Sequence, residues 1–382
     1  MLYHLTQLLL ERTQGTDLGD WISGLRVFRY ITFRTAGAAV TALLLSVWIG
    51  PWMIAWLRRM NFGEHYTPRA QAHGVEKPAA FDKRGTPTMG GVLIVLVIEV
   101  AVLLWTQVNY LVALTLVTLF GLALLGFFDD YTKVTRQTSD GVRSRVKLVA
   151  QTAVGLFVAV YLWSVPATRY LITEVTLPFL KQPVLTGATT LGILVAVLTI
   201  VGSSNAVNLT DGLDGLAVGC TLIVAAVFII ITYVAGHVKI AAYLQVPYVP
   251  GAGELTVVCA AIFGASLGFL WFNAYPAEVF MGDTGSLALG GVLGIIAVLV
   301  HQPLVLFIAG GVFVLEAFSV MVQVGGFKLS RRWYGQGRRV FLMAPLHHHF
   351  QKKGWPESKV TTRFYILGVL FGVAALATLK LR

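Results

Sequence analysis

The stretch "YLVALTLVTLFGLALLGFFDDYTK", residues 110–133, decides the fold. From Tyr110 to Phe128 nineteen residues carry no charge, and Asp129 and Asp130 then stand side by side. About 20 apolar residues suffice for a helix to cross the hydrocarbon of a bilayer. Two adjacent carboxylates repel each other and both resist an apolar medium. The segment therefore reads as a membrane span whose end holds a costly acidic pair.

The rest of the chain agrees with a membrane setting. Of 382 residues, 56% are hydrophobic and 12% charged, about half the charged share of a soluble domain. Mean hydropathy is +0.75. Too little polar surface is left to face water, which excludes a soluble globular class and predicts an all-α, polytopic integral membrane protein. Cys220 and Cys259 both lie inside apolar runs and read as small core residues rather than a disulfide framework. The N-terminal "MLYHLTQLLLERTQGTD" has no basic flank and is too short to span, so it predicts a short interfacial helix.

Ten spans are expected, at 35–57, 87–105, 110–128, 146–164, 188–203, 214–235, 255–273, 285–300, 303–325 and 361–379. The fifth is short, and its polar sequel "GSSNAVNLTDG" is expected as a partly unwound end. No internal repeat of the kind that builds inverted-repeat transporters is visible. An even number of spans places both termini on one side and the loops 58–86, 127–147 and 326–360 on the other, with the short segments 204–213 and 274–284. Those three loops carry 19 of the 29 Lys and Arg residues. Basic excess marks the cytoplasmic side, so the termini are expected outside, although Arg12, Arg26, Arg29 and Arg34 weaken the bias. The outer connections "TQVNY" and "VHQP" carry no Lys, Arg, Asp or Glu. The polar chemistry is thus expected at one membrane face, in a single domain covering residues 1–382.

Each polar cluster has a plain and a functional reading. Asp129 and Asp130 read as a solvated helix end, but acids there oppose the helix macrodipole. A divalent cation would reverse that penalty. In "NAVNLTDGLDGLA" (205–217), Asn205, Asn208, Asp211 and Asp214 exceed what helix capping requires. Asp211 and Asp214 are three apart and would share a helix face. In "WFNAYPAEVFMGDTGSLALGG" (271–291), Asn273, Phe280, Asp283 and Ser286 are candidates. Asp283 is expected at a helix start, as an N-cap or as part of a metal–phosphate site. "RRVFLMAPLHHHF" (338–350) holds His347, His348 and His349, better suited to phosphate or proton transfer than to zinc. "DKRGTPTMGG" (82–91) holds Lys83, Arg84, Thr86 and Thr88, and resembles an anion-binding turn without being a Walker loop. Glu99 and Glu316 lie in apolar runs as bundle-interior groups without an assigned role. Separated acids, basic residues and imidazoles at one face fit phosphoryl transfer to a lipid-borne group.

At these residues the sequence resembles the phospho-N-acetylmuramoyl-pentapeptide transferase family, within the polyprenyl-phosphate N-acetylhexosamine-1-phosphate transferase superfamily. The resemblance is carried by "FRYITFRTAGA", "KRGTPTMGG", "FFDDYTKV", "NLTDGLDGLA", "WFNAYPAEVFMGDTGSLALGG" and "RRVFLMAPLHHHF", in order from Phe28 to the end. The 61–82 loop is longer than usual for the family. The resemblance implies ten transmembrane helices in the bacterial inner membrane, a homodimer, and Mg²⁺ dependence. It also implies transfer of phospho-MurNAc-pentapeptide from UDP-MurNAc-pentapeptide to undecaprenyl phosphate, giving lipid I and UMP. By motif position, Asp283 would be the Mg²⁺ ligand with Asp129 and Asp130 beside it. Lys83, Asn205 and Asp211 would line the site, Phe280 would stack on uracil and His347 would lie by the phosphates. Thr88, Asn208, Lys133, Asn273 and His348 follow as further substrate-binding candidates. A related transferase using UDP-GlcNAc is the nearer rival, and a transporter or flippase using Glu99 and Glu316 the more distant one.

Overall fold

The computed structural model describes residues 1–13, 22–60, 85–136 and 141–380. Among the described residues ten helices form the body: α1 Ile31–Arg59, α2 Gly91–Trp105, α3 Tyr110–Arg136, α4 Ser144–Ser164, α5 Thr189–Thr210, α6 Leu216–Gly236, α7 Gly253–Asn273, α8 Gly282–Leu299, α9 Gly311–Tyr334 and α10 Glu357–Ala377. Nine are long and apolar enough to cross a membrane, and α2 is a shorter apolar helix. Each coincides with one of the ten expected spans. Among the described residues extended pairing is limited to one bridge, between Val175 and Leu185. The N-terminal segment forms the expected short helix, Leu2–Arg12.

Helix α8 is the axis of the bundle, with 94% of its span buried. It packs on α3 and α5 and also touches α2 and α6. Gly285, Gly290, Gly291 and Gly294 let these neighbours approach closely, as small residues do where lipid supplies no hydrophobic drive. A second layer forms where α7 packs on α1 and α6. The outer helices α4 and α9 are only 28% and 22% buried, leaving apolar faces such as Phe318, Met321 and Val324 exposed. In a bilayer such faces meet acyl chains, so their exposure costs nothing.

Helix ends depart from the expectations. Asp129 and Asp130 lie inside α3, which runs on to Arg136; they do not end it, and the macrodipole objection lapses. At about 1.5 Å per residue, α3 is long enough to cross the hydrocarbon and carry two further turns beyond it. Asn205 and Asn208 are likewise helical, because α5 continues to Thr210 rather than unwinding. Asp211 ends α5 and Asp214 lies in the following turn, so they share no helix face: Gly212 and Gly215 bend the chain between two helices. The ninth span is broken at Gly310 into Pro303–Ala309 and α9, and α9 extends to Tyr334 inside the expected loop 326–360.

Candidate active site

The acidic pair is met by the start of the central helix. Gly126, one turn before Asp130 on α3, faces the first turn of α8 so closely that a Cβ there would overlap the Asp283 carbonyl. That contact brings the two backbones together. Asp130 then does for α8 what no residue of α8 does for itself. Its Oδ1 accepts the Asp283 N–H at 3.1 Å, and its Oδ2 accepts the Thr284 N–H at 2.9 Å and the Thr284 hydroxyl at 2.7 Å. The free N–H groups of a helix start are thereby satisfied by a carboxylate from another helix.

Asp129 points the other way around the same junction. Its Oδ1 accepts the Val142 N–H at 2.8 Å, and its Oδ2 lies 2.6 Å from Lys133 Nζ. Lys133 also reaches Asp283 Oδ1 at 3.2 Å. Lys147, in the first turn of α4, contacts Asp129 Oδ1 at 3.1 Å and Asp283 Oδ2 at 2.9 Å. A lysine is badly placed at a helix N-terminus; the two carboxylates offset that cost. Asp129, Asp130 and Asp283 each offer an oxygen, all within 4.8 Å of one another. Three carboxylates and two ammonium groups leave one net negative charge. The donors are all oxygen, the set that a hard divalent cation takes. The acids are buried while both lysines stay about one-fifth exposed, so the cluster opens on its basic side.

The other candidates surround this junction to different degrees. Thr88 Oγ1 stands beside Gly282, next to the Asp130 carboxylate. The segment carrying Thr88 is pinned there: Phe280 N–H donates to the Pro87 carbonyl, and Gly90 and Gly91 donate to the carbonyls of Phe280 and Met281. Asn205 donates to Gln151 Oε1 at 2.8 Å, and Gln151 donates to Ser204, which donates to the Leu287 carbonyl. This network ties α4, α5 and α8 together just inside the acidic cluster. Asn208 is half-buried one turn further along α5.

Asn273 is engaged by backbone groups on both sides. Its Oδ1 accepts the Gly215 N–H at 3.1 Å and its Nδ2 donates to the Val279 carbonyl at 2.8 Å. Asp214 accepts the Ala277 N–H at 3.1 Å. Both side chains brace the 274–280 loop that presents Phe280. His347 is 1% exposed, held between Glu316 and Gly212. His348 Nδ1 lies 2.8 Å from Gln351 Oε1. His349 accepts the Leu342 N–H through Nδ1, and desolvation together with the nearby Lys353 lowers its pKa, consistent with a neutral ring. Lys83 lies outside the described residues. Lys147, Gln151 and Thr284 were missed in the sequence. Of these only Lys147 left a signal, a cation that with Arg143 and Arg145 opens an apolar helix.

This arrangement defines a class: a membrane-embedded bundle with an acidic and basic cluster suited to phosphate chemistry at one end. The comparisons agree. The family "Glycosyl transferase family 4" matches residues 110–301, and the "Phospho-N-acetylmuramoyl-pentapeptide-transferase signature 1" matches residues 83–95. The phospho-N-acetylmuramoyl-pentapeptide-transferase of Opitutus terrae is 50% identical over 96% of this chain and 98% of its own. The protein of that name from Oleidesulfovibrio alaskensis is 50% identical over 94% and 96%. That from Syntrophus aciditrophicus is 47% identical over 100% of both chains. The chain belongs to the phospho-N-acetylmuramoyl-pentapeptide-transferase family.

Proposed function

We propose that this protein transfers phospho-MurNAc-pentapeptide from UDP-MurNAc-pentapeptide to undecaprenyl phosphate, giving lipid I and UMP in peptidoglycan synthesis. The observation that carries the reading is the meeting of Asp129, Asp130 and Asp283 with Lys133 and Lys147 at one end of the bundle. That end is assigned to the cytoplasmic face of the bacterial inner membrane, where the basic loops and a nucleotide-linked donor would be found. A homodimer, as in the family resemblance, completes the proposal; the mass of the detergent-extracted protein checks it.

In the reaction, an oxygen of the lipid phosphate attacks the sugar-linked phosphorus of the diphosphate. The bond from that phosphorus to the bridging oxygen breaks, and UMP leaves with both electrons. A phosphate monoester has a second pKa near 6, so the attacking group is largely dianionic and needs little base. Lys133 and Lys147 hold the acids in the resting protein and are placed to turn toward phosphate oxygens as negative charge arrives. Mg²⁺ fits the site: Asp283, with Asp129 beside it, would hold the ion, which supplies charge neutralisation of the diphosphate. Phe280 is assigned to the uracil, and Lys83, Thr88, Asn205, Asn208, Asp211 and His348 to the walls around the donor. Asn273 is assigned to bracing the loop behind Phe280, and His347 to the phosphates.

Direct attack is favoured over an aspartyl-phosphate intermediate by the occupancy of the carboxylates. Both oxygens of Asp130 are engaged by the start of α8, and Asp129 Oδ1 accepts the Val142 N–H. Purified protein given MgCl₂, undecaprenyl phosphate and UDP-MurNAc-pentapeptide should release UMP and form lipid I. Release with UDP-GlcNAc instead would move the protein to the sister activity, and no release would refute transfer. With a donor chiral at phosphorus, inversion is expected and net retention would overturn direct attack.

A further inference from the structure

Glu316 lies in the apolar part of α9 and is fully buried. A carboxylate in a membrane-length helix is costly and marks a task. Its Oε1 accepts the backbone N–H of His347 at 3.2 Å, and His347 Nδ1 lies 3.3 Å from the same oxygen. Glu316 Oε2 and both ring nitrogens of His347 are buried without a hydrogen-bond partner, so the Nδ1 contact with Oε1 is an ion-pair approach rather than an aligned hydrogen bond. On the far side of the ring, Nε2 abuts Gly212, where a Cβ would overlap it. The His348 ring packs alongside at 4.2 Å between centroids. The imidazole is therefore clamped between a carboxylate and a bare stretch of backbone in the "NLTDG" turn.

A purely structural role, capping the short helix Leu346–Lys352, accounts for the backbone bond alone. It leaves unexplained why the imidazole approaches the same oxygen and why no side chain stands at position 212. A carboxylate beside Nδ1 favours the proton there and sets the direction of the other nitrogen. A buried polar atom left without a partner calls for an explanation of this kind.

We propose that Glu316 is a positioning residue for the transfer reaction, holding His347 with its proton on Nδ1 and Nε2 directed to the Gly212 wall of the site. The inference rests on the assignment of His347 to the phosphates. It is tested with the full chain in detergent, using UDP-MurNAc-pentapeptide and undecaprenyl phosphate. Glu316→Leu should lower kcat roughly 10–100-fold, the range seen when the partner of a functional histidine is lost. The KM for the nucleotide substrate should change by less than about 2-fold, since ground-state binding is untouched. Glu316→Gln keeps an acceptor oxygen and the side-chain shape, and should restore most of kcat.

The ¹⁵N spectrum of the imidazoles, with the His347 signal assigned by substitution, should show the Nδ1–H tautomer in wild type and Glu316→Gln and lose it in Glu316→Leu. Gly212→Ala attacks the clamp from its other side and should shift the same signal and lower kcat, which keeps the test open if Glu316→Leu does not fold. Wild-type kcat in Glu316→Leu, or an unchanged His347 signal in either disrupting variant, would overturn the proposal. Absence of UMP release by the wild type would instead refute the transferase reading, while the tautomer spectra would still judge Glu316.

Discussion

Two buried ionic groups stand in different parts of this bundle, and they are built differently. Arg34 on α1 meets Glu254 on α7 in a two-point bridge, at 2.6 and 2.7 Å. The Trp105 carbonyl accepts from the guanidinium and the Gln107 N–H donates to the carboxylate. One cation faces one anion, both planar groups are matched, and little capacity is left for a ligand. At the acidic cluster, three carboxylates share two lysines, whose ammonium groups are round, flexible and partly exposed. An arginine fork suits a fixed pair, whereas a lysine yields more readily to a new partner. The first group locks α1 to α7; the second is balanced one charge short, as a site for a cation and a diphosphate would be.

The largest effect should come from removing the shared acid. Asp283→Asn is expected to lower turnover by at least about 10³-fold at any Mg²⁺ concentration, the scale of losing a main electrostatic contact in a transition state. The protein should stay folded with a modestly lower unfolding midpoint, because the amide gives up the ion pairs with Lys133 and Lys147. UMP release and unfolding of the same preparation check both. Wild-type turnover would remove Asp283 from the mechanism and leave the two ionic groups equivalent.

The locked pair should show the reverse pattern. Arg34→Leu leaves Glu254 buried without its partner, and breaking such a pair costs about 3–5 kcal/mol. Unfolding should come at a clearly lower temperature, while the KM for the nucleotide substrate below the transition should stay as in wild type. Arg34→Leu with Glu254→Leu should recover much of the loss, since a buried pair can often be replaced by apolar contact. A raised KM in a fully folded Arg34→Leu protein would show that this end also serves the substrate.

The same contrast shows what the sequence could carry. The ten spans were legible because hydropathy alone sets them, and Asp129, Asp130 and Asp283 stood out as acids on one side of those spans. The positions where helices stop were not legible. Asp129 and Asn205 look polar enough to be loop, yet remain helical because neighbouring helices extend beyond the apolar zone and support them, while the 326–334 stretch continues α9 as an exposed extension. Asp214 and Asn273 hydrogen-bond to backbone 60 or so residues away along the chain, and no local pattern reveals that. Glu316 was visible as a costly residue, and only the fold brings His347 to it.

A smaller effect is expected at the second lysine. Lys147→Met removes one of two balancing charges from the cluster, so divalent cations should bind more tightly while turnover falls by roughly 10²-fold, less than for the shared acid. In the absence of Mg²⁺ the variant should unfold at a lower temperature than wild type, because the three carboxylates then share one ammonium group. Addition of Mg²⁺ should raise its midpoint more than that of the wild type. Equal midpoint shifts in the two proteins would mean that Lys147 does not share the cation's carboxylates.

The smallest effect belongs to the loop braces. Asn273→Ala removes one donor and one acceptor, leaving the Gly215 N–H and the Val279 carbonyl without those bonds. Such a loss costs about 1–3 kcal/mol where the partners are buried. The amide is 4% exposed, so the cost should fall toward the upper end and lower the unfolding midpoint. Asn273 holds the loop behind Phe280 rather than the acids, so the KM for the nucleotide substrate should rise several-fold while kcat changes less. A fall in kcat at constant KM would instead place Asn273 with the reacting phosphates.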